Sequence, residues 1–287
     1  MTRTDWCEHP LRPLAPQDFQ QIRELAYQSF GLDLKPGKEE LVTARLQRLV
    51  RHGGFHSYQE YCRHVRNDST GESLLALIDA LTTNHTSFLR EPEHFEFLRS
   101  NLLPRLRRRE TVAVWSAACS TGEELWTLAF LLHEVLAAAH IQLIGSDISR
   151  KALARSQAAT YSAERVSVLP ATWVQAYLTA EGHPPAYYRV KPAIRAEASF
   201  RRLNLVKPFS WPIPFPIVFC RNVMIYFDRP MQQRVVTGLE ASLEPGGYLF
   251  IGHAESLTGI DHHLEYVRPA VYRKPVGRRG GAWNALR

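Results

Sequence analysis

Three polar side chains crowd one short stretch of this chain. In Phe219-Cys220-Arg221-Asn222-Val223-Met224-Ile225-Tyr226-Phe227-Asp228, an apolar run at Ile217-Val218-Phe219 leads into Arg221, Asn222 and Tyr226. The run reads as a β-strand bounded on its N-terminal side by Pro216, and a helical pattern starts at Pro230. In an α/β protein the carboxyl end of such a strand faces the ligand crevice. A guanidinium, an amide and a phenol gathered there are costly unless a polar ligand meets them.

Two further stretches carry chemistry of the same kind. Ser120-Thr121-Gly122-Glu123-Glu124 follows a β-rich run and opens a helix. Gly122 would let a ligand approach the backbone, and free N–H groups at the helix start favour an anion. The same residues also form a capping box, Thr121 with Glu124 or Ser120 with Glu123. Asp147 ends the next strand, where an acid can accept bonds from both hydroxyls of a ribose. It could instead cap the following helix, although Ser149 is better placed for that. Asn84, Thr86 and Arg90 sit on a polar loop between two differently patterned halves, and by themselves read as turn and cap residues. Arg45, Arg48 and Arg51 recur every three residues on a helix whose apolar positions, Val42, Leu46, Leu49 and Val50, lie on another face. Such a stripe is by default solvated surface.

The elements that must position these residues come in two kinds. Helical spacing covers Pro16–Phe30, closed by Gly31, then Lys38–Arg51, Tyr58–Val65 and Ser73–Leu81, with a linker helix over Glu93–Leu103. The rhythm then changes. Strands at Thr111–Ser116, Ile141–Gly145, Ile217–Cys220 and Tyr248–Ile251 alternate with helices from Gly122, Ser149 and Met231, which implies a mostly parallel sheet covered on both faces. Leu264–Val267 and Ala270–Arg273 are expected to close it as an antiparallel pair. Tyr187–Val190 and Ser199–Leu203 read as a small antiparallel β insertion, about 187–203, with Pro192 between them. The expected organisation is a helical domain at 1–83, a linker at 84–110, an α/β domain at 111–274 and a flexible basic tail at 275–287.

Bulk properties exclude several classes. Hydrophobic residues make up 45% of the chain, enough for a sizeable core, but no apolar run approaches the roughly 20 residues of a membrane span. Four cysteines lie apart without a CxxC pair, which favours a reduced, cytoplasmic protein. The net charge is +7, yet six excess positive charges lie between Arg268 and the end, where there is no acid. The folded body is therefore close to neutral, which argues against nucleic acid as partner. Twelve histidines include no HxxxH pair with a carboxylate, and no metal is expected.

FCRNVMIYFD resembles the signature of the chemotaxis receptor-glutamate methyltransferases (CheR). The resemblance continues in Thr82-Thr83-Asn84-His85-Thr86-Ser87-Phe88-Leu89-Arg90-Glu91, in Trp115-Ser116-Ala117-Ala118-Cys119-Ser120-Thr121-Gly122-Glu123-Glu124 and in Gly252-His253-Ala254-Glu255-Ser256, from about Pro16 to about Lys274. It departs at Leu125-Trp126, where the family often has Pro-Tyr, at Leu89 for an aromatic and at Ala254 for Ser. The resemblance implies a Rossmann-like class I methyltransferase domain, mostly parallel with an antiparallel closing strand, preceded by a small all-helical domain and carrying a β-subdomain. It implies S-adenosylmethionine as cofactor, S-adenosylhomocysteine as product, and glutamate 5-O-methyl esters on chemoreceptors, made for sensory adaptation. Carried over by position, Asn84, Thr86, Arg90, Glu123, Asp147, Asn204, Leu205, Arg221 and Asn222 hold the cofactor. Arg90 and Tyr226 stand at the reacting methyl. Arg45, Arg48 and Arg51 dock the cytoplasmic helices of the receptor, and the β insertion is a candidate for a receptor tail peptide. The alternatives are a non-catalytic, cofactor-binding receptor adaptor and a methyltransferase of the same fold acting on another substrate. Against a nucleic-acid or amine methyltransferase, Arg-Asn-Val-Met stands where an Asn/Asp-Pro-Pro-aromatic loop would be.

Overall fold

The computed structural model describes residues 11–136 and 139–276. The tail expected at 275–287 falls almost wholly outside the described residues, as do the first ten positions. Four helices come first: α1 (Pro16–Phe30), α2 (Glu39–His52), α3 (Tyr58–Asn67) and α4 (Glu72–Leu81). Their apolar faces close on one another, and Ile22, Val42, Leu46, Val50 and Leu77 are fully buried. Gly31 ends α1 in the left-handed conformation, φ 74°, with its N–H on the Tyr27 carbonyl. A Cβ at this position would stand 2.7 Å from Val206 Cγ1, so the residue that stops α1 also lets the helical unit close against the second one.

A helical run then leads onward through α5 (Pro92–Phe97), a π-turn at Leu98–Leu102 and α6 (Leu103–Leu106). One unbroken helix was expected over Glu93–Leu103. Pro104 accounts for the interruption: it has no N–H for the α-helical ladder and its ring crowds the carbonyl four residues back, which a π-turn relieves.

The second unit comprises β1 (Thr111–Ser116), α7 (Glu123–Val135), β2 (His140–Asp147), α8 (Arg150–Ala158), β3 (Thr160–Ser162), α9 (Ala163–Val166), α10 (Ala171–Tyr177), β4 (Leu178–Glu181), β5 (Tyr187–Val190), α11 (Pro192–Arg195), β6 (Ala198–Arg202), β7 (Phe215–Cys220), α12 (Arg229–Ser242), β8 (Leu243–Ile251), β9 (Glu265–Arg268) and β10 (Val271–Arg273). Seven strands form one sheet in the order β6-β2-β1-β7-β8-β10-β9. The pairs from β6 to β8 are parallel, while β10 pairs antiparallel with both β8 and β9, as the alternating rhythm and the late β runs predict.

Every residue of β7 is buried. Ile217 and Phe219 enter the core on one face, with Phe130 and Phe250, while Val218 and Cys220 enter the other, with Trp115 and Leu239. Pro216 does not bound this strand, as the sequence suggested, but lies inside it. The register against β8 shifts between Phe215 and Ile217, and a bulge is where a strand tolerates a residue without an N–H donor.

The β insertion also differs from expectation. Tyr187–Val190 does belong to a separate antiparallel sheet, but its partners are β3 and β4, in the order β3-β5-β4. Ala198–Arg202 instead joins the edge of the main sheet, parallel to β2. The anchor is Phe200, which packs where Gly145 has no side chain: a Cβ there would lie 2.9 Å from the ring. The insertion is thus centred on 160–190, and α11, opened by Pro192, separates it from β6.

Gly31→Ala should lower stability by about 1–3 kcal/mol, from left-handed backbone strain plus overpacking against Val206. Urea denaturation of the two proteins measures it; an unchanged midpoint would show that the contact yields freely.

Candidate active site

The helical unit and the sheet meet along several polar contacts. Tyr27 Oη donates to Asp228 Oδ2 at 2.8 Å, Asn204 Nδ2 to the Ser29 carbonyl at 2.9 Å, and Asp33 N to the Tyr226 carbonyl at 3.0 Å. Arg150 reaches Glu72 with two bonds, 3.0 and 2.6 Å. Between the units lies a cavity of about 650 Å³, within the range of small-molecule sites. Its walls come from α2 and the segment before it, the loop from Thr82 to Arg90, and the carboxyl ends of β1, β2 and β7.

Asp147, at the end of β2, is nearly buried and borders this cavity. Its two oxygens accept from Ser149 N and Ser120 N, each at 2.9 Å. Burial raises its carboxyl above the usual range, against the pull of those N–H groups. Glu124, in the first turn of α7, also borders the cavity and is raised by burial, with Arg221 opposing. Ser149 caps α8, accepting from Ala152 N at 3.0 Å, so capping does not require Asp147.

Arg221 organises the floor. Its guanidinium reaches Glu124 Oε2 at 3.0 Å and Glu91 Oε2 at 2.9 Å, and donates to the Arg90 carbonyl. Asn222, left-handed at φ 58°, donates from Nδ2 to Glu91 Oε1 at 3.2 Å. Behind this loop, Glu255 accepts four backbone N–H bonds: Gly252 at 2.6 Å, Met224 at 2.7 Å, Asn222 at 2.9 Å and Ile225 at 3.3 Å. A Cβ on Gly252 would strike Asn222 Nδ2 at 2.5 Å, so only glycine admits this packing. Arg90 and Tyr226 both border the cavity, and Arg90 donates to the His85 carbonyl at 2.9 Å.

Comparison with known proteins fits this geometry. Residues 84–272 match the family described as "CheR methyltransferase, SAM binding domain", and residues 17–82 match "CheR methyltransferase, all-alpha domain". The chain belongs to the CheR methyltransferase family. It is 36% identical to a chemotaxis protein methyltransferase of Klebsiella aerogenes, covering 91% of this chain and 90% of that protein. It is also 36% identical to chemotaxis protein methyltransferase 2 of Pseudomonas aeruginosa, over 89% and 92% of the two chains. A relative from Borreliella burgdorferi is 32% identical over 91% and 95%.

Most positions carried over from CheR converge on the cavity: Asn84, Thr86, Arg90, Asp147, Arg221, Asn222 and Tyr226 all border it. Others do not. Glu123 is fully buried away from it, bonded to the Thr121 hydroxyl at 2.6 Å and to Arg165, and Glu124 is the acid that faces the cavity. The Thr121–Glu124 capping box is likewise absent, because Glu124 is drawn to Ser116 Oγ and Arg221. Asn204 borders a separate recess of about 150 Å³ beside Ser29, and Leu205 packs in the core. Arg221 borders the cavity, but its guanidinium is spent on the protein. The arginine stripe is not uniform either. Arg48 and Arg51 are exposed, whereas Arg45 borders the cavity and holds the linker through the Leu81 carbonyl and Thr83 Oγ1, the latter at 2.6 Å.

Glu91 and Glu255 carry much of the construction without a role read from the sequence, and Glu124 does so in place of the cap it suggested. Their signal was membership in the quoted motifs, since neither a carboxylate on a distant arginine, as at Glu91 and Glu124, nor one on backbone N–H groups, as at Glu255, leaves a periodic trace. His94 and His253 join Glu91 in a grouping of metal-ligand type, atoms within 4.8 Å. Glu91 is already paired with Arg221, a cation that opposes a divalent ion beside it. Burial, followed by the Arg221 charge, holds the His94 imidazole neutral, with its pKa pushed down to about 3.

Arg221→Gln should destabilise the protein by about 3–5 kcal/mol, because Glu124 is left as an unpaired buried charge. Denaturant titration checks this, and a loss below about 1 kcal/mol would show that water reaches Glu124 freely.

Proposed function

We propose that this chain transfers the methyl group of S-adenosylmethionine to glutamate side chains of chemoreceptors, giving glutamate 5-O-methyl esters and S-adenosylhomocysteine, without a metal. The observation that carries the reading is that two acids, Asp147 and Glu124, line one cavity together with Arg90 and Tyr226. The names of the relatives support the chemoreceptor substrate. Among the described residues no helix is long and apolar enough to cross a membrane. In this reading the receptor presents its cytoplasmic helices to the chain.

When bound, the cofactor supplies a methyl group on a sulfonium, which needs no further activation. Asp147 offers an acceptor to the ribose hydroxyls at the end of β2. Glu124 and the Ser120 turn form the adjoining wall. The incoming glutamate, with a reference pKa near 4.3, is already ionised at neutral pH, so no general base is required. The protein's task is then alignment of oxygen, methyl and sulfur. Arg90 and Tyr226 orient the carboxylate, and Arg48 and Arg51 meet acidic residues of the receptor helix outside the cavity.

A methyl-transfer assay on receptor membranes with labelled cofactor tests the whole reading. Binding of cofactor with no transfer would leave the adaptor alternative, and transfer to other acceptors alone would overturn the receptor assignment. Asp147→Ala should weaken S-adenosylmethionine binding by about 1.5–3 kcal/mol in calorimetry. Hydroxyls donate to a carboxylate, not to the protonated acid, so binding favours the ionised form of Asp147. Because burial raises its carboxyl, affinity should rise with pH through that raised value and level off above it. A series from about pH 4, near the reference value of the carboxyl, to about pH 8 checks the sign. Affinity that grows toward acid would remove Asp147 from the site.

The docking face calls for a separate experiment. Reversing Arg48 and Arg51 to Glu, with Arg45 left in place to hold the linker, should raise the receptor KM several-fold at low salt. Exposed pairs are worth only about 0.2–1 kcal/mol each, and salt screens them. Equal KM values for the double variant and wild type at low salt would make the pair ordinary surface.

A further inference from the structure

The loop Ser120–Glu124 is held from outside the main sheet. Glu123 has no solvent exposure, yet its carboxylate meets the guanidinium of Arg165, which belongs to α9 in the insertion. The other carboxylate oxygen accepts from the Thr121 hydroxyl at 2.6 Å. Four residues before Arg165, on β3, Tyr161 donates its buried hydroxyl to the Thr121 carbonyl at 2.7 Å. A Cβ on Gly122 would stand 2.8 Å from that same hydroxyl and 2.3 Å from Ser156 Oγ. The insertion thus grips the loop on both sides of Gly122, and only a glycine fits between.

The charges make this grip specific. Glu123 and Glu124 are adjacent acids in the first turn of α7, and each is paired with a different arginine. Glu124 takes Arg221 from the loop after β7, and Glu123 takes Arg165 from the insertion. Deprived of Arg165, Glu123 becomes an unpaired buried charge, and such groups move toward water or neutralise. Its first motion pulls on Thr121 and on Glu124, which borders the cavity. Arg165 itself has a side chain 49% exposed, so its cation is shared between solvent and the buried acid.

We propose that Arg165 is a positioning residue for the cofactor loop, acting through Glu123, so that the insertion sets the affinity of the cofactor site. This rests on the placement of the cofactor against Ser120–Glu124 proposed above. The test uses the full chain, calorimetry with S-adenosylmethionine and steady-state methylation of receptor membranes. Arg165→Ala should weaken cofactor binding about tenfold and raise the cofactor KM more than it lowers kcat. Arg165→Lys should restore part of the loss. In a background of Glu123→Gln, adding Arg165→Ala should cost nothing further, since no buried charge remains to be paired. That comparison also serves if Arg165→Ala alone fails to fold. Wild-type affinity in Arg165→Ala overturns the proposal, as does an equal loss with and without Glu123→Gln. Asp147→Ala separates the two readings. If it loses affinity while Arg165→Ala does not, only the positioning role fails; if it keeps full affinity, the placement of the cofactor itself fails.

Discussion

A guanidinium buried at the end of the central strand governs this structure. The Arg221 side chain is 1% exposed and lies against the rings of Phe95 and Phe219. A cation in such a place must be neutralised or the fold pays several kcal/mol. The two carboxylates that do so come from different parts of the chain, Glu91 at the start of α5 and Glu124 in the first turn of α7. Satisfying Arg221 therefore fixes three segments at once: the linker from the helical unit, the loop after β1, and the end of β7. The cavity is the space these segments leave between them.

The backbone bears the strain of that convergence. Leu89, Glu91, Ser120 and Asn222 all adopt positive φ without being glycine. Each such residue costs of order 1 kcal/mol or more, and persists only where its surroundings over-determine it. Glu91 is held by Arg221 and Asn222, Ser120 by its N–H on Asp147, and Asn222 by its N–H on Glu255. A buried ion pair rarely adds net stability over an apolar substitute. What this one does is tie Glu91 and Glu124, from two strained segments, to the end of β7.

The same reasoning separates what the sequence displayed from what it hid. The alternation of strand and helix, the strand end at Asp147 and the cap at Ser149 depend on period and local chemistry, and they are found where residue types place them. The choice between Glu123 and Glu124 depends on which arginine each reaches, and Arg165 lies 42 positions from its partner. Nothing local distinguishes two adjacent glutamates. The membership of Ala198–Arg202 was hidden for a similar reason: a weakly buried edge strand looks alike in either sheet, and what decides is a side-chain gap at Gly145, far away in sequence. Arg45 shares its spacing with Arg48 and Arg51, but it reaches the carbonyl of Leu81, the last residue of α4, while the other two are exposed.

These constraints also divide labour among the cavity's cations. Arg221 is saturated by two carboxylates and a carbonyl, so it exerts little pull on an arriving anion. Arg45 is committed to the linker. Among the described residues Arg90 makes one bond from its guanidinium, to the His85 carbonyl, which leaves donors for the proposed substrate. In the proposed reaction a carboxylate and a sulfonium lose their charges together. A site that bound the carboxylate with several fixed cations would stabilise the ground state more than the transition state. In that reaction, neutralising Arg221 internally would leave a modest, steerable attraction through Arg90, with Tyr226 lining the same cavity. In the proposed reaction, the buried ion pair that holds the cavity in shape would thus also keep the cavity from holding its substrate too tightly.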